Sequence, residues 1–193
     1  MPRAGAKTAG DTLRRGAALT LLDNVFEFID MRSFSNLWFW IALAVVWASA
    51  SHWVLGVPWD MAIRARRRRD QAAMTDFEDM VRININRLLS VARESGVILA
   101  GLVAFFLTSL AILGFGYGNE FSQALFLLGF PLTGVWLVSL ATAQTIRARG
   151  LAGEALISRL RWHRLVVQVI GVVSVFVTAL WGMYQNMNFG VLG

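Results

Sequence analysis

Long runs without a charged residue alternate along the chain with shorter, arginine-rich stretches. Four segments contain no Asp, Glu, Lys or Arg, namely residues 33–59, 95–119, 121–146 and 165–193. Each is longer than the ~20 residues that an α-helix needs to cross ~30 Å of hydrocarbon. The pattern predicts an all-α, polytopic membrane protein, a bundle of four transmembrane helices with spans at about 36–57, 95–117, 121–144 and 165–185.

Tryptophans mark both ends of the first predicted span. Trp38 and Trp59 would lie ~31 Å apart along a helix, which matches the two water interfaces of a bilayer, where indole rings are enriched. Pro58 lacks a backbone N–H and cannot continue a helix, so we expect the first span to end there.

An amphipathic helix is predicted over residues 75–94, directly before the second span. Thr75 and Glu78 have the spacing of a capping box, in which each side chain accepts a hydrogen bond from a free backbone N–H at the helix start. Ser95–Gly96 favours a bend where this helix meets the span. Its apolar face includes Phe77, Val81 and Leu88.

The remaining segments complete the predicted domain organisation. Residues 154–164 form a second cytoplasmic helix after a glycine-bounded turn. Residues 1–17 are small, polar and basic and are predicted to be a disordered tail. Residues 18–32 have apolar positions at helical spacing with an acidic polar face, which predicts an amphipathic interfacial helix. Residues 33–193 form the membrane domain.

Arginines in the connections predict the orientation. Residues 58–94 contain eight and residues 145–164 contain five, whereas the turn at 118–120 contains none. Basic residues concentrate in cytoplasmic loops, so we expect both arginine-rich connections inside the cell and both termini outside. This predicts a multi-pass membrane protein whose arginine-rich loops are cytoplasmic.

The amino-acid composition excludes several kinds of catalytic and metal site. The chain has a mean hydropathy of +0.57 and a net charge of +6, and it contains no cysteine. Disulfides, thiolate catalysis and thiolate-held zinc or iron–sulfur clusters are therefore excluded for this chain alone. Because it also lacks a glycine-rich phosphate loop, a serine elbow and a buried acid pair, we expect a protein that is not an enzyme.

A polybasic run, residues 64–69, follows the first predicted span. Its arginines can hold anionic lipid headgroups, and they can instead bind an acidic protein partner. Nucleic acid is not expected, because no aromatic residues interleave with the run. The candidate lipid or partner contacts are Arg64, Arg66, Arg67, Arg68, Arg69, Phe77, Val81 and Leu88.

Two histidines are weak candidates for a haem or metal site. His52 and His163 lie at the inner ends of the first and fourth spans, and so at similar depth. No carboxylate in the spans supports them, and a backbone group or hydroxyl could satisfy either ring. No cofactor is therefore predicted.

Small residues at a spacing of four allow helices to approach closely. They favour packing inside the bundle and leave homo-oligomerisation open. Pro131 predicts a kink in the third span, with the freed carbonyl of Leu127 available to a neighbour. The candidate packing positions, besides Pro131, are Ala44, Ala48, Gly96, Ala100, Gly114 and Gly118.

Two stretches of the chain resemble a small family of bacterial inner-membrane proteins labelled "component of SufBCD complex". They are residues 31–61, from Met-Arg-Ser-Phe-Ser-Asn-Leu-Trp-Phe-Trp to Ser-His-Trp-Val-Leu-Gly-Val-Pro-Trp-Asp-Met, and residues 77–87, Phe-Glu-Asp-Met-Val-Arg-Ile-Asn-Ile-Asn-Arg. The likeness covers most of residues 25–165. It implies a location in the bacterial inner (plasma) membrane and a link to the SUF iron–sulfur assembly machinery through docking or scaffolding.

The sequence thus favours a non-catalytic membrane scaffold or accessory subunit that anchors a partner complex. A homo-oligomeric channel or carrier and a haem-bearing redox subunit are the alternatives.

Overall fold

The computed structural model describes residue 34, residues 37–68 and residues 71–190, with the backbone alone at 67, 68 and 188–190. The elements are α1 (Leu37–His52), β1 (Trp53–Val54), β2 (Val57–Pro58), α2 (Trp59–Arg68), α3 (Gln71–Ala111), α4 (Glu120–Arg149) and α5 (Gly153–Gly190). A π-helical turn, Ile112–Gly116, prolongs α3. The predicted tail 1–17 and interfacial helix 18–32 lie outside the described residues.

Among the residues that the structure describes, three helices are long and apolar enough to cross a membrane: α3 with its π-helical turn, α4, and α5 as far as Met187. They contain the predicted second, third and fourth spans, and the all-α class is confirmed. Helix α1 is equally apolar but has only 16 residues, ~24 Å of helix. This is shorter than the ~20 residues that a membrane-crossing helix needs, so length does not identify α1 as a span.

The first predicted span is shorter than expected, because the helix ends at His52 and not at Pro58. Trp53 pairs with Pro58 and Val54 with Val57 in a small antiparallel hairpin. Its two turn residues, Leu55 and Gly56, have φ values of 52° and 76°, as the tightest hairpin turns require. Val54 and Val57 are buried, so packing of these branched side chains outweighs continued helix.

Helix α3 begins one turn earlier than predicted, at Gln71. The Thr75 hydroxyl donates to the Gln71 carbonyl (2.9 Å), so the predicted capping box is wrong. The helix also continues unbroken through Ser95 and Gly96, where the sequence favoured a bend. The ~1 kcal/mol cost of one helical glycine is small when long helical segments flank it on both sides.

The buried core lies at one end of the molecule, in a unit that we call the helical cap. The cap consists of the hairpin, α2, α3 as far as Leu89, and the adjoining ends of α4 and α5. Its buried residues are Val54, Val57, Ala62, Ala65, Phe77, Val81, Ile85, Ala143, Ile146, Leu156, Ile157 and Leu160. By contrast, none of the most apolar stretch of α3 is buried, as expected of a helix that faces lipid.

Candidate partner-binding groove on the helical cap

A groove of about 430 Å³ opens on the cap between α3 and the turn that joins α4 to α5. Val81, Ile85 and Leu156 line it and are buried apolar residues of the cap core. Glu78, Asp79, Arg82 and Arg147 add charged groups to the same lining. The groove therefore combines an apolar floor with a charged mouth.

The turn beside the groove is held in place from both sides. Gly150 ends α4 in the left-handed conformation (φ 57°), with its N–H donating to the Ile146 carbonyl. Gly153, also left-handed (φ 56°), donates its N–H to Glu78 Oε1 at 2.6 Å. A hydrogen bond to a carboxylate is among the stronger kinds. Glu78, which the sequence assigned to a helix cap, instead connects α3 to the turn.

The charged residues of the groove lining, Glu78, Asp79, Arg82 and Arg147, balance in formal charge but are not all paired with one another. Arg82 Nη2 donates to Asp79 Oδ1 at 2.9 Å, and the Glu78 carboxylate accepts from Gly153. Arg147 is exposed and forms no ion pair with any residue that the structure describes. Residues 58–94 and 145–164 together contain thirteen arginines against seven acidic residues, a surplus of six positive charges.

The apolar face predicted for lipid or partner contact is used inside the chain. Phe77 and Val81 are each 1% exposed and pack in the cap core, and of these two only Val81 also lines the groove. Leu88 is half-buried at the edge of the same core. Sequence periodicity found the correct face of α3 but not its neighbour, because a helix buries such a face equally well against its own chain.

The described arginines of the polybasic run do lie on the surface. Arg64 pairs with Asp60 and Arg66 with Glu154, each at 3.7 Å and between exposed side chains. Such pairs contribute little, typically below ~1 kcal/mol, so a lipid phosphate or a carboxylate can displace them. Of Arg67 and Arg68 only the backbone is described, and Arg69 lies outside the described residues.

The two histidines lie at one level of the bundle but in different environments. Arg164 Nε donates to the Ser51 carbonyl at 3.2 Å, which brings the neighbouring residues of α1 and α5 together. His52 is exposed beside Asp60 (3.9 Å), whereas His163 is buried with Nδ1 3.1 Å from the Thr142 hydroxyl. Within residues 37–68 and 71–190, no three His, Asp or Glu side chains gather as a metal site.

The small residues predicted to pack between helices have different environments in the structure. Gly114 is a close-packing position, because a Cβ there would lie 2.9 Å from the backbone nitrogen of Gln123. Gly118 instead serves the turn after α3, with φ 71° and open space around it. The remaining positions do not pack inside the described chain, since they are exposed or open: Ala44, Ala48, Gly96 and Ala100.

The backbone carbonyl that Pro131 leaves free meets a hydrogen-bond donor of a neighbouring helix, as the sequence predicted. Helix α4 continues through it, and the Ser174 hydroxyl of α5 donates to the Leu127 carbonyl that the proline leaves without its helical partner (3.5 Å).

Sequence reasoning missed a polar cluster at the end of the bundle opposite the cap. Gln123, 2% exposed, donates to the Gly114 carbonyl at 2.8 Å. Its Oε1 accepts from Trp181 Nε1 (2.9 Å) and Gln185 Nε2 (2.5 Å). The available signal was a glutamine inside an uncharged run, where a side-chain amide needs a partner.

Comparisons of the chain with protein-family models, with curated proteins and with solved structures give no match.

Proposed function

We propose that the protein is a non-catalytic scaffold of the bacterial inner membrane, whose cap recruits a cytoplasmic protein through the groove beside the α4–α5 turn. The observation that carries this proposal is the groove itself, with its apolar floor and the unpaired Arg147 at its mouth. The chemistry selects a partner segment with an apolar anchor residue flanked by acidic ones.

The proposal includes four membrane spans, with α1 as the first. Contacts between α1 and α5 support this, because they run in antiparallel order along the whole of α1. Phe34 packs against Gly182, Trp47 against Gly171, and the Ser51 carbonyl accepts from Arg164. Helix α1 therefore lies alongside the apolar part of α5, which is itself long enough to span.

The proposed orientation places the cap in the cytoplasm and both termini outside. The thirteen arginines of the cap connections support it, because basic residues are retained on the cytoplasmic side. Arg64 and Arg66 on α2 would then contact anionic headgroups, at about 1 kcal/mol for each arginine near the surface.

The resemblance to the family labelled "component of SufBCD complex" makes the SUF machinery the first partner to test. The test is capture of the wild-type protein and its variants from membranes solubilised in mild detergent, with mass spectrometry of the captured proteins. Arg147→Glu reverses the charge at the groove, and Ala152→Trp fills the groove. Arg161→Glu makes the same charge change on an exposed cap arginine outside the groove.

We expect both groove variants to lose a partner that wild type and Arg161→Glu retain. Purified SufBCD complex added to the wild-type protein should reproduce that binding if the SUF machinery is the partner. An identical set of captured proteins for all four chains would overturn the groove as the binding site.

A further inference from the structure

A second cavity, of about 410 Å³, lies between the hairpin of the cap and the facing parts of α3 and α4. It is bounded by the hairpin on one side and by these two helices on the other. Trp53 of the hairpin and Trp136 of α4 both contribute to its walls, and Trp53 is 53% exposed. Indole rings favour the boundary between hydrocarbon and headgroups.

The lining of this cavity combines Asn84 and Arg87 of α3 with apolar side chains of the hairpin, of α3 and of α4. On α3, Asn84 and Arg87 lie toward the cap, and Val91 lies one turn further toward the uncharged stretch. On α4, Trp136 is ~16 Å along the helix from Arg147, well inside an uncharged stretch. A molecule that fits this lining has an anionic end and an apolar tail.

Arg87 supplies the charge at the polar end. Its side chain is exposed, and no carboxylate of the described residues lies within ion-pair distance of it. Asn84 beside it uses one amide N–H on the Met80 carbonyl of its own helix (2.9 Å), and the guanidinium is the charged donor of this lining. Arginine is well suited to phosphate, because its planar group forms two parallel hydrogen bonds.

We propose that this cavity is a binding site for one phospholipid molecule. Arg87 holds the phosphate, and an acyl chain lies along Leu88, Val91 and Trp136 toward the hydrocarbon. A free phosphate would leave the apolar wall uncovered, whereas a phospholipid in the surrounding leaflet matches both ends of the cavity. The inference needs α3 and α4 to cross the membrane but does not depend on the partner-binding groove.

The test is native mass spectrometry of the protein in maltoside micelles, titrated with dioleoyl phosphatidylglycerol. We expect one tightly retained lipid in the wild-type protein. Arg87→Gln should weaken its binding about tenfold, the effect of losing one hydrogen bond to a charged group. Arg93→Gln is the matched control, since it removes an exposed arginine of the same helix outside the cavity.

Further variants and a soluble competitor test the acyl-chain contact and the phosphate contact separately. Val91→Trp should block the acyl end and abolish tight retention, whereas Arg87→Lys should restore part of the binding. Soluble glycerol phosphate should not compete at concentrations that saturate the lipid. Equal losses for Arg87→Gln and Arg93→Gln, undiminished binding by Val91→Trp, or full competition by glycerol phosphate would each overturn the site.

Discussion

At the scale of single residues, Gln123 shows how one polar side chain can join three segments in an apolar region. Its amide contacts the π-helical turn after α3 through the Gly114 carbonyl and contacts α5 through Trp181 and Gln185. A π-helical turn leaves backbone carbonyls without their usual partners, and such turns occur often at positions under functional or structural constraint. The amide of Gln123 satisfies one of those carbonyls.

Replacing Gln123 by leucine should lower the free energy of unfolding by about 2 kcal/mol. The change removes three hydrogen bonds and leaves the half-buried donors of Trp181 and Gln185 without this acceptor, at a cost of about 0.6 kcal/mol or more for each membrane-embedded bond. Titration with sodium dodecyl sulfate, followed by circular dichroism, measures this loss. Gln144→Leu is the control, because Gln144 is exposed. Equal stability of the two variants would show that the cluster does not hold the helices together.

Residue-scale prediction from the sequence succeeded where a single local cause decides the outcome. Gly150 was expected to end a helix and does so with φ 57°, and the carbonyl freed by Pro131 was expected to find a donor and meets Ser174. Glu78 was assigned wrongly, because its partner Gly153 is distant in sequence. A capping motif and a tertiary contact use the same carboxylate, and local spacing cannot distinguish them.

At the scale of elements, the packing of α1 on α5 depends on two glycines that accept aromatic rings. A Cβ on Gly171 would lie 2.8 Å from the Trp47 ring, and Gly182 receives Phe34 and Trp40 in the same way. The sequence pointed instead to Ala44 and Ala48 of α1, which are exposed. Ring-into-glycine contacts join residues of distant segments and have no fixed spacing, so periodicity did not reveal them.

Two glycine-to-alanine changes should therefore have opposite signs. Gly171→Ala forces a methyl group against the buried Trp47 ring and should destabilise the protein by about 1–3 kcal/mol. Gly134→Ala adds the same group in α4, where nothing lies within 4 Å, and should stabilise the helix by up to ~1 kcal/mol. Thermal unfolding in detergent compares them. A stabilising Gly171→Ala would mean that α1 does not pack on α5 as described.

At the scale of the whole molecule, the division into a packed cap and exposed apolar helices explains which predictions reached furthest. Runs without charge located α3, α4 and α5 as candidate spans, because the cost of charge in hydrocarbon is visible in composition alone. The cap required contacts between residues far apart in the chain, such as Phe77 with the ends of α4 and α5. Its apolar face was visible in the sequence, but what covers that face was not.

The crossing of the membrane by α1, which makes the difference between three and four spans, decides the topology of the whole molecule. The absence of cysteine from the sequence makes this crossing measurable. Single cysteines introduced into this chain are the only thiols that a maleimide can label. Three exposed positions report on the two ends of the bundle: Leu37 at the start of α1, Tyr117 before α4, and Arg149 at the end of α4.

If α1 crosses the membrane and the cap faces the cytoplasm, a membrane-impermeant maleimide added to intact spheroplasts should label Leu37→Cys and Tyr117→Cys. Arg149→Cys should react only after permeabilisation. Leu37→Cys is the decisive variant, because a chain with three spans would leave the start of α1 on the same side as the cap. Labelling of Tyr117→Cys with protection of Leu37→Cys would mean that the bundle has three spans. Labelling of Arg149→Cys with protection of Tyr117→Cys in intact spheroplasts would mean that the cap faces outward. Because arginine-rich loops are retained on the cytoplasmic side, we expect Leu37→Cys and Tyr117→Cys to be labelled in intact spheroplasts and Arg149→Cys to be protected.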